Sequence, residues 1–202
     1  MLPEEQLRAI DYLKLRGWRI ESDETTMTAC HHLGPLSEDC FQALARLDNL
    51  TALDLHTAAV RDTDLAYIQH LNNLRILNLR ETQISDKGIA YLQGLAKLRI
   101  LWLNYTQIVG GGLLHIVNLN NLKKLFLDET KVADESLDYL NHIRSLEYLT
   151  LASSEVTDAG IAKLGGLPNL AFLDVANTAV TDFGVRQLKA RLPNLTVNRD
   201  YY

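Results

Sequence analysis

Cysteine is scarce in this sequence. The 202 residues contain two, Cys30 and Cys40, which are too few for the several disulfide bridges that hold small secreted domains together. We therefore expect both to be free thiols in a reducing compartment.

Long apolar runs and an excess of positive charge are also missing. No run approaches the roughly 20 apolar residues of a membrane helix, so we expect no membrane partner. The first residues include Glu4, Glu5 and Asp11 instead of the basic start and apolar stretch of a secretory signal, which predicts a cytoplasmic location. The formal net charge of -5 argues against nucleic acid as a partner, because phosphate binding needs a basic surface.

The main feature of the sequence is an internal repeat with a period of 24 residues. Six consecutive units align without gaps, and the last is one residue longer than the others. Units 1 to 6 begin at Leu50, Leu74, Leu98, Leu122, Leu146 and Leu170. Unit positions 1, 4, 6, 11, 16 and 19 hold Leu, Ile or Val in all six units. A fixed period of this length indicates a solenoid whose stacked units bury a continuous core.

Each unit contains two periodicities. The opening pattern Leu-x-x-Leu-x-Leu puts positions 4 and 6 on one side of a short strand, and positions 16 and 19 have helical spacing. Between them, Ser85-Asp86, Thr157-Asp158 and Thr181-Asp182 provide oxygens suited to the N-cap of a helix. The sequence therefore predicts an α/β solenoid with a parallel sheet on its concave side and short helices on its convex side.

Two further positions carry small or hydroxyl residues. Position 15 is glycine in four units, which predicts close packing between neighbouring helices, because glycine lowers helix stability. The glycine run at 110–112 lacks the Lys-Ser/Thr that follows in a phosphate-binding loop. Position 9 is Thr or Ser in five units, and such a hydroxyl can bond to the backbone where a strand turns. We expect both columns to be structural.

The repeat resembles the leucine-rich repeat family. The segment "VTDAGIAKLGGLPNL" is similar to the Thr-Asp-x-Gly-Leu repeats of bacterial proteins and to the cysteine-containing repeats of F-box proteins. The sequence departs from these families in having Thr instead of Asn at position 9, no cysteine column and no F-box segment. The resemblance covers residues 26–197 and implies a right-handed superhelix that binds other proteins and is rarely catalytic unless another domain supplies the activity.

The chain is predicted to contain three segments. Residues 1–25 form a cap of one helix and a strand, and residues 198–202 form a C-terminal tail. Residues 26–197 form the solenoid, with one degenerate unit, the six full units and one partial terminal strand. In the cap, the helical pattern predicts Leu7, Ile10 and Leu13 on one side of the helix.

The predicted concave face carries an unusual set of side chains. If positions 4 and 6 point into the core, positions 3, 5 and 7 point outward, and Trp102 and Phe126 lie on adjacent strands about 5 Å apart. The predicted partner-binding residues are Trp102, Phe126, Tyr105, Tyr148, Phe172, Ile100, Ile76, Arg80, Glu81, Asp128 and Glu129. Aromatic and aliphatic side chains with a polar border are typical of an interface core.

Two interpretations of these rings remain open. A protein partner covers them and uses them as hot spots of about 2 kcal/mol or more each, or the rings pair across strands and stabilise the sheet itself. We favour the first, a protein-interaction module without cofactor that is a monomer or a weak homo-oligomer. The alternatives are a structural or oligomerisation segment, or a recognition subunit of a larger assembly of the ubiquitin-ligase or effector type.

A second group of polar side chains falls at the N-terminal end of the array. Cys30 and His32 of the degenerate unit occupy the same columns as Asp54 and His56 one strand further on, and these four residue types can bind zinc. Their spacing lacks the paired ligands of closed zinc sites. We therefore predict no metal site and no enzyme, with these four residues as the candidates for either.

Overall fold

The computed structural model describes residues 2–22, 27–30 and 36–200. Within these ranges, nine strands form one sheet whose strand order follows the chain. The strands are β1 (Arg19–Ser22), β2 (Met27–Cys30), β3 (Leu50–Asp54), β4 (Ile76–Asn78), β5 (Ile100–Trp102), β6 (Lys124–Phe126), β7 (Tyr148–Thr150), β8 (Phe172–Asp174) and β9 (Thr196–Asn198). The first two pair antiparallel, and each later strand pairs parallel to the one before it.

From β2 onward, short helices return the chain from the end of one strand to the start of the next, and one further helix precedes β1. The α-helices are α1 (Glu4–Lys14), α2 (Glu38–Leu44), α3 (Asp86–Ile89), α4 (Leu137–Leu140), α5 (Asp158–Lys163) and α6 (Asp182–Arg191). The 3-10 helices are Asp62–Tyr67, Ala90–Leu92, Gly111–Ile116, Asp134–Ser136 and Leu164–Gly166. The α/β solenoid predicted from the repeat is confirmed.

The aliphatic columns form one core that runs the length of the array. All side chains at positions 1, 4, 6, 11, 16 and 19 are buried apart from Val185, which is half-buried. Strand register aligns position 4 across the sheet, so that Leu77 lies between Leu53 and Leu101. Each such leucine is fully shielded by the units on either side, which contributes roughly 1.5–3 kcal/mol per side chain relative to exposure.

The glycine column marks the closest approach between units. A Cβ on Gly160 would lie 2.1 Å from Asp134 Oδ1, and a Cβ on Gly184 would lie 2.1 Å from Asp158 Oδ1. These aspartates stand at position 13 of the preceding unit. The predicted close packing at position 15 is therefore confirmed.

The same aspartates hold the start of the next helix. Asp134 accepts hydrogen bonds from the Thr157 N–H at 2.8 Å and from the Thr157 hydroxyl at 2.6 Å, and Asp158 holds Thr181 in the same way. The predicted N-cap role is also confirmed, because the Thr157 Oγ1 accepts from the Ala159 N–H. Each threonine thus links two units while it caps its own helix.

The aspartate column at position 13 has one break in the six units, and it is compensated within the chain. Unit 3 has Gly110 at position 13, and unit 4 has Ser136 at position 15. A Cβ on Gly110 would lie 1.9 Å from Ser136 Oγ, and Gly110 has a φ of 111°. Elsewhere an aspartate at position 13 faces a glycine at position 15 of the next unit, whereas here a glycine at position 13 faces a serine at position 15. In both arrangements one side chain fills the space between the units.

The hydroxyl column closes the turn after each strand. Thr82, Thr106, Thr130, Ser154 and Thr178 each donate to the backbone carbonyl three residues earlier at 2.6 Å. Position 8, immediately before them, is left-handed in all six units, with φ between 53° and 61°. The structural role predicted for position 9 is confirmed.

The prediction that Leu7 lies on the same side of α1 as Ile10 and Leu13 was wrong as regards burial. Leu7 is 44% exposed, whereas Gln6, Ala9, Ile10 and Leu13 are buried. The buried positions follow the i, i+3, i+4, i+7 stripe of an α-helix, and Leu7 lies one residue outside it. Among the described residues, neither Cys30 nor Cys40 forms a disulfide; the reducing compartment stays a prediction.

Replacing Gly112 by alanine is expected to destabilise the fold. The new Cβ would lie 2.6 Å from the backbone oxygen and 2.7 Å from the Cα of Asp86, and backbone atoms cannot rotate away as a flexible side chain does. Overpacking of this kind costs about 1–3 kcal/mol. Equilibrium urea unfolding measures the loss.

Gly94→Ala is the matched control. Its Cβ would meet only the Gln69 carbonyl oxygen, at 3.5 Å, so we expect its free energy of unfolding to stay within about 0.5 kcal/mol of the wild type or to rise slightly. Equal losses in the two variants would show that close approach between units does not explain the glycine column.

Candidate functional site

The outer face of the sheet, on the side opposite the leucine core, carries four rings in continuous contact. Strand pairing places Trp102 beside Phe126 and Tyr148 beside Phe172. The ring centroids are 5.2 Å apart for Trp102 and Phe126, 5.4 Å for Phe126 and Tyr148, and 4.4 Å for Tyr148 and Phe172. We call these four residues the aromatic row. It crosses strands β5 to β8.

The rings of the aromatic row are stacked and only partly covered. The Trp102–Phe126 and Tyr148–Phe172 ring planes are within 9° and 10° of parallel, and all four side chains are half-buried. The indole of Trp102 therefore lies outside the leucine core. Stacking of this kind is worth about 0.5–1.5 kcal/mol per pair, which supports the interpretation that the rings stabilise the sheet; partner binding stays a prediction.

Ile76 and Ile100 extend the apolar surface toward the N-terminus. They precede the row on strands β4 and β5, in register with each other, and both are half-buried. The result is an apolar strip that continues without a break from β4 to β8.

Four predicted residues border the strip where the strands end. Tyr105 is 49% exposed, and the Arg80 guanidinium lies 5.2 Å from the centre of its ring. Arg80 also pairs with Glu81 at 2.9 Å. Glu129 occupies the same left-handed position in unit 4 as Tyr105 in unit 3, and it is exposed.

The Asp128 carboxylate, also at this border, accepts three hydrogen bonds. It accepts hydrogen bonds from the Thr150 hydroxyl at 2.7 Å, from the Ala152 N–H at 2.8 Å, and from the Asn104 side-chain amide. Burial is the main influence on its carboxyl and raises its pKa; the negative charge of Asp174 acts in the same direction, whereas the hydrogen bonds lower it. The sequence identified Asp128 as a border residue but gave no sign of its partners on both neighbouring strands.

The second predicted group is only partly brought together. Cys30 and Asp54 are paired in register on β2 and β3, and His56 Nδ1 lies 2.9 Å from Asp54 Oδ1; His32 lies outside the described residues. Burial raises the pKa of the Cys30 thiol, and Asp54 raises it further, which opposes the thiolate that zinc needs. Among residues 2–22, 27–30 and 36–200, no three His, Cys, Asp or Glu side chains are arranged to hold a metal ion.

A line of basic side chains was not predicted from the sequence. Arg75, Arg99 and Lys123 occupy position 2 of units 2, 3 and 4, and Lys124 follows at position 3 of unit 4; all four are exposed. We call them the basic row. The signal was present in the sequence as three consecutive basic residues in one column, but position 2 belongs neither to the core pattern nor to the outward positions 3, 5 and 7.

The comparisons with known proteins agree with this architecture. Residues 70–92 match a family model described as Leucine Rich repeat. An internalin (inlF) from Listeria monocytogenes superimposes with a TM-score of 0.63 and 22% identity, over 80% of this chain and 51% of that one. An internalin C2 (inlC2) from the same organism gives 0.66 and 25%, over 87% and 80%. A search of curated proteins gives no match.

These likenesses establish the leucine-rich repeat fold. The chain spans about half the length of the internalin inlF chain. Within the part of the chain that the structure describes, no helix is long and apolar enough to cross a membrane.

The pKa of Asp128 gives a prediction for stability against pH. A raised pKa in the folded state means that Asp128 contributes its full stability below the ordinary carboxyl pKa and loses it as pH rises through the raised value. Asp128→Asn does not titrate. The free energy of unfolding of the wild type, relative to this variant, is therefore expected to fall as pH rises across the range of about 3 to 7.

Urea unfolding of both proteins at several pH values checks this. The informative quantity is how the difference in free energy of unfolding between the two proteins changes with pH. A loss that the altered hydrogen bonds of the variant cause equally at every pH does not affect it. A relative gain of the wild type with rising pH would mean that the hydrogen bonds from Thr150 and Ala152 outweigh burial.

Proposed function

We propose that this leucine-rich repeat chain is a non-enzymatic module that binds a protein partner on the outer face of its sheet, with the aromatic row at the centre of the contact. Leucine-rich repeat proteins generally bind protein partners. The cytoplasmic location remains a prediction.

The observation that carries the proposal is the partly exposed aromatic row. The leucine columns already bury the core completely, so the fold does not need four large rings on the opposite face. Monomeric proteins rarely leave a large contiguous apolar patch in water, and here it extends from Ile76 to Phe172 across five strands. Tryptophan and tyrosine are also the residues most enriched among hot spots.

The rings of the aromatic row are preorganised for binding. Each ring stacks on a neighbour, and hydrogen bonds between successive strands fix the backbone beneath it. Little side-chain freedom is therefore lost when a partner covers the rings, which lowers the entropic cost of association.

The border residues complete the proposed contact surface. Tyr105, Arg80 and Glu81 form one exposed group beside Trp102, while Asp128 and Glu129 border Phe126 at the ends of the strands. We propose that they set the orientation of the partner and contribute less binding energy than the rings, because exposed charges at a rim mainly affect specificity and association rate.

The double substitution of Trp102 and Phe126 by alanine is expected to abolish partner capture. Loss of two hot spots of about 2 kcal/mol each reduces affinity roughly 30-fold per residue. Affinity capture from a lysate of the source organism, compared with the wild type by quantitative mass spectrometry, measures the effect. Thermal unfolding confirms that the variant is folded.

Phe183→Ala is the matched control. Phe183 is 60% exposed and lies on α6, on the helical side of the molecule. We expect this variant to capture the same proteins as the wild type. Unchanged capture by the double variant would remove the outer face as the binding site, and equal losses in both variants would indicate nonspecific adhesion to exposed rings.

A further inference from the structure

The basic row forms one edge of the same apolar strip, where the strands begin. Backbone hydrogen bonds place its members side by side: the Arg99 N–H donates to the Arg75 carbonyl at 2.7 Å, and the Lys123 N–H donates to the Arg99 carbonyl at 2.8 Å. Adjacent strands are about 4.8 Å apart, so three basic side chains stand on successive rungs of the sheet.

Most of this charge has no ion-pair partner in the part of the chain that the structure describes. Among the described residues, the ion pairs include Lys123, which contacts Glu147 at 2.6 Å, but not Arg75, Arg99 or Lys124. Like charges directly opposite each other on neighbouring strands lower stability, so the row is unexpected in a chain whose net charge is -5. The folded state alone gives no reason for such a row.

The basic row and the aromatic row belong to one surface. Arg75 and Arg99 immediately precede Ile76 and Ile100 of the strip, and the Lys124 ammonium lies 5.7 Å from the centre of the Tyr148 ring. A partner that covers the rings therefore also meets the positive charges.

The opposite edge of the strip is mainly acidic. Glu81, Asp128, Glu129 and Asp174 lie at or just beyond the strand ends, and the one basic residue among them, Arg80, is paired with Glu81. The surface thus changes from basic to apolar to acidic along the strand direction. A nucleic acid, which also uses basic and aromatic side chains, would bring phosphates near this acidic edge, so the charge arrangement favours a smaller and more localised anion.

We propose that the partner presents an extended peptide segment in which acidic and apolar residues alternate. This inference rests on the proposed function of the outer face. The segment crosses β4 to β7, its apolar side chains lie on the aromatic row, and its carboxylates pair with Arg75 and Arg99. Alternate residues of an extended chain point to opposite sides and same-side residues are roughly 7 Å apart, a spacing that arginine side chains on neighbouring strands can reach. Arginine binds carboxylates through two parallel hydrogen bonds.

The test uses fluorescent ten-residue peptides as probes. One alternates glutamate with leucine, a second has lysine for glutamate, a third has serine for leucine, and an oligo-dT strand represents nucleic acid. The first peptide is expected to bind, with an affinity that falls as salt is raised. The double variant Arg75→Glu, Arg99→Glu is expected to lose about tenfold or more of that affinity, because it places like charges against the carboxylates.

The matched control is Arg186→Glu, Lys189→Glu, which changes the net charge equally on exposed positions of α6. It is expected to bind the first peptide as the wild type does. Equal binding of the glutamate and lysine peptides, tighter binding of oligo-dT, or no effect of the Arg75/Arg99 variant would each overturn the inference.

The result also separates this inference from the proposed function. If the Trp102/Phe126 variant loses partner capture while the Arg75/Arg99 variant keeps it, the outer face binds a protein but not through acidic residues, and only the inference fails. If both variants keep full capture, the proposed function fails as well.

Discussion

The whole molecule depends on one constraint: a single 24-residue unit cannot bury its own leucines. Burial becomes complete only when units stack at the spacing of β-strands, and the described core is continuous from the cap to Leu195. Stacking in register brings residues 24 positions apart into contact, as Leu53, Leu77 and Leu101 show. Every surface property follows from this alignment, because each column of the sequence becomes a line on the protein.

The contacts between units show why the repeat is so regular on its helical side. Asp134 binds Thr157 and leaves no room for a side chain on Gly160, so between full units position 13 of one unit and position 15 of the next change together. Gly110 and Ser136 are the one place where they do. No comparable coupling ties positions 3 and 5, which are free to carry Trp102 and Phe126.

The strands, the core and the exposure of the rings could be predicted from the sequence because side-chain alternation and a fixed period determine them. The buried side of α1 could not be predicted from the sequence. A small rotation of the helix about its axis decides whether Leu7 or Gln6 is buried, and packing against the rest of the protein sets that rotation. The partners of Asp128 lie on two other strands, 24 and 22 residues away. The basic row was not predicted because position 2 of units 2 to 4 immediately precedes the strand, where side-chain alternation gives no direction.

The left-handed turn at position 8 has a consequence for how the surface can diversify. A positive φ ordinarily selects glycine or asparagine, yet Thr57, Glu81, Tyr105, Glu129 and Ser153 adopt it, each with its N–H bonded to the carbonyl of the following unit. The array imposes this conformation on whatever residue is present. The residue at position 8 can therefore be substituted in one unit at a time, by evolution or by design, while the backbone of the array stays the same.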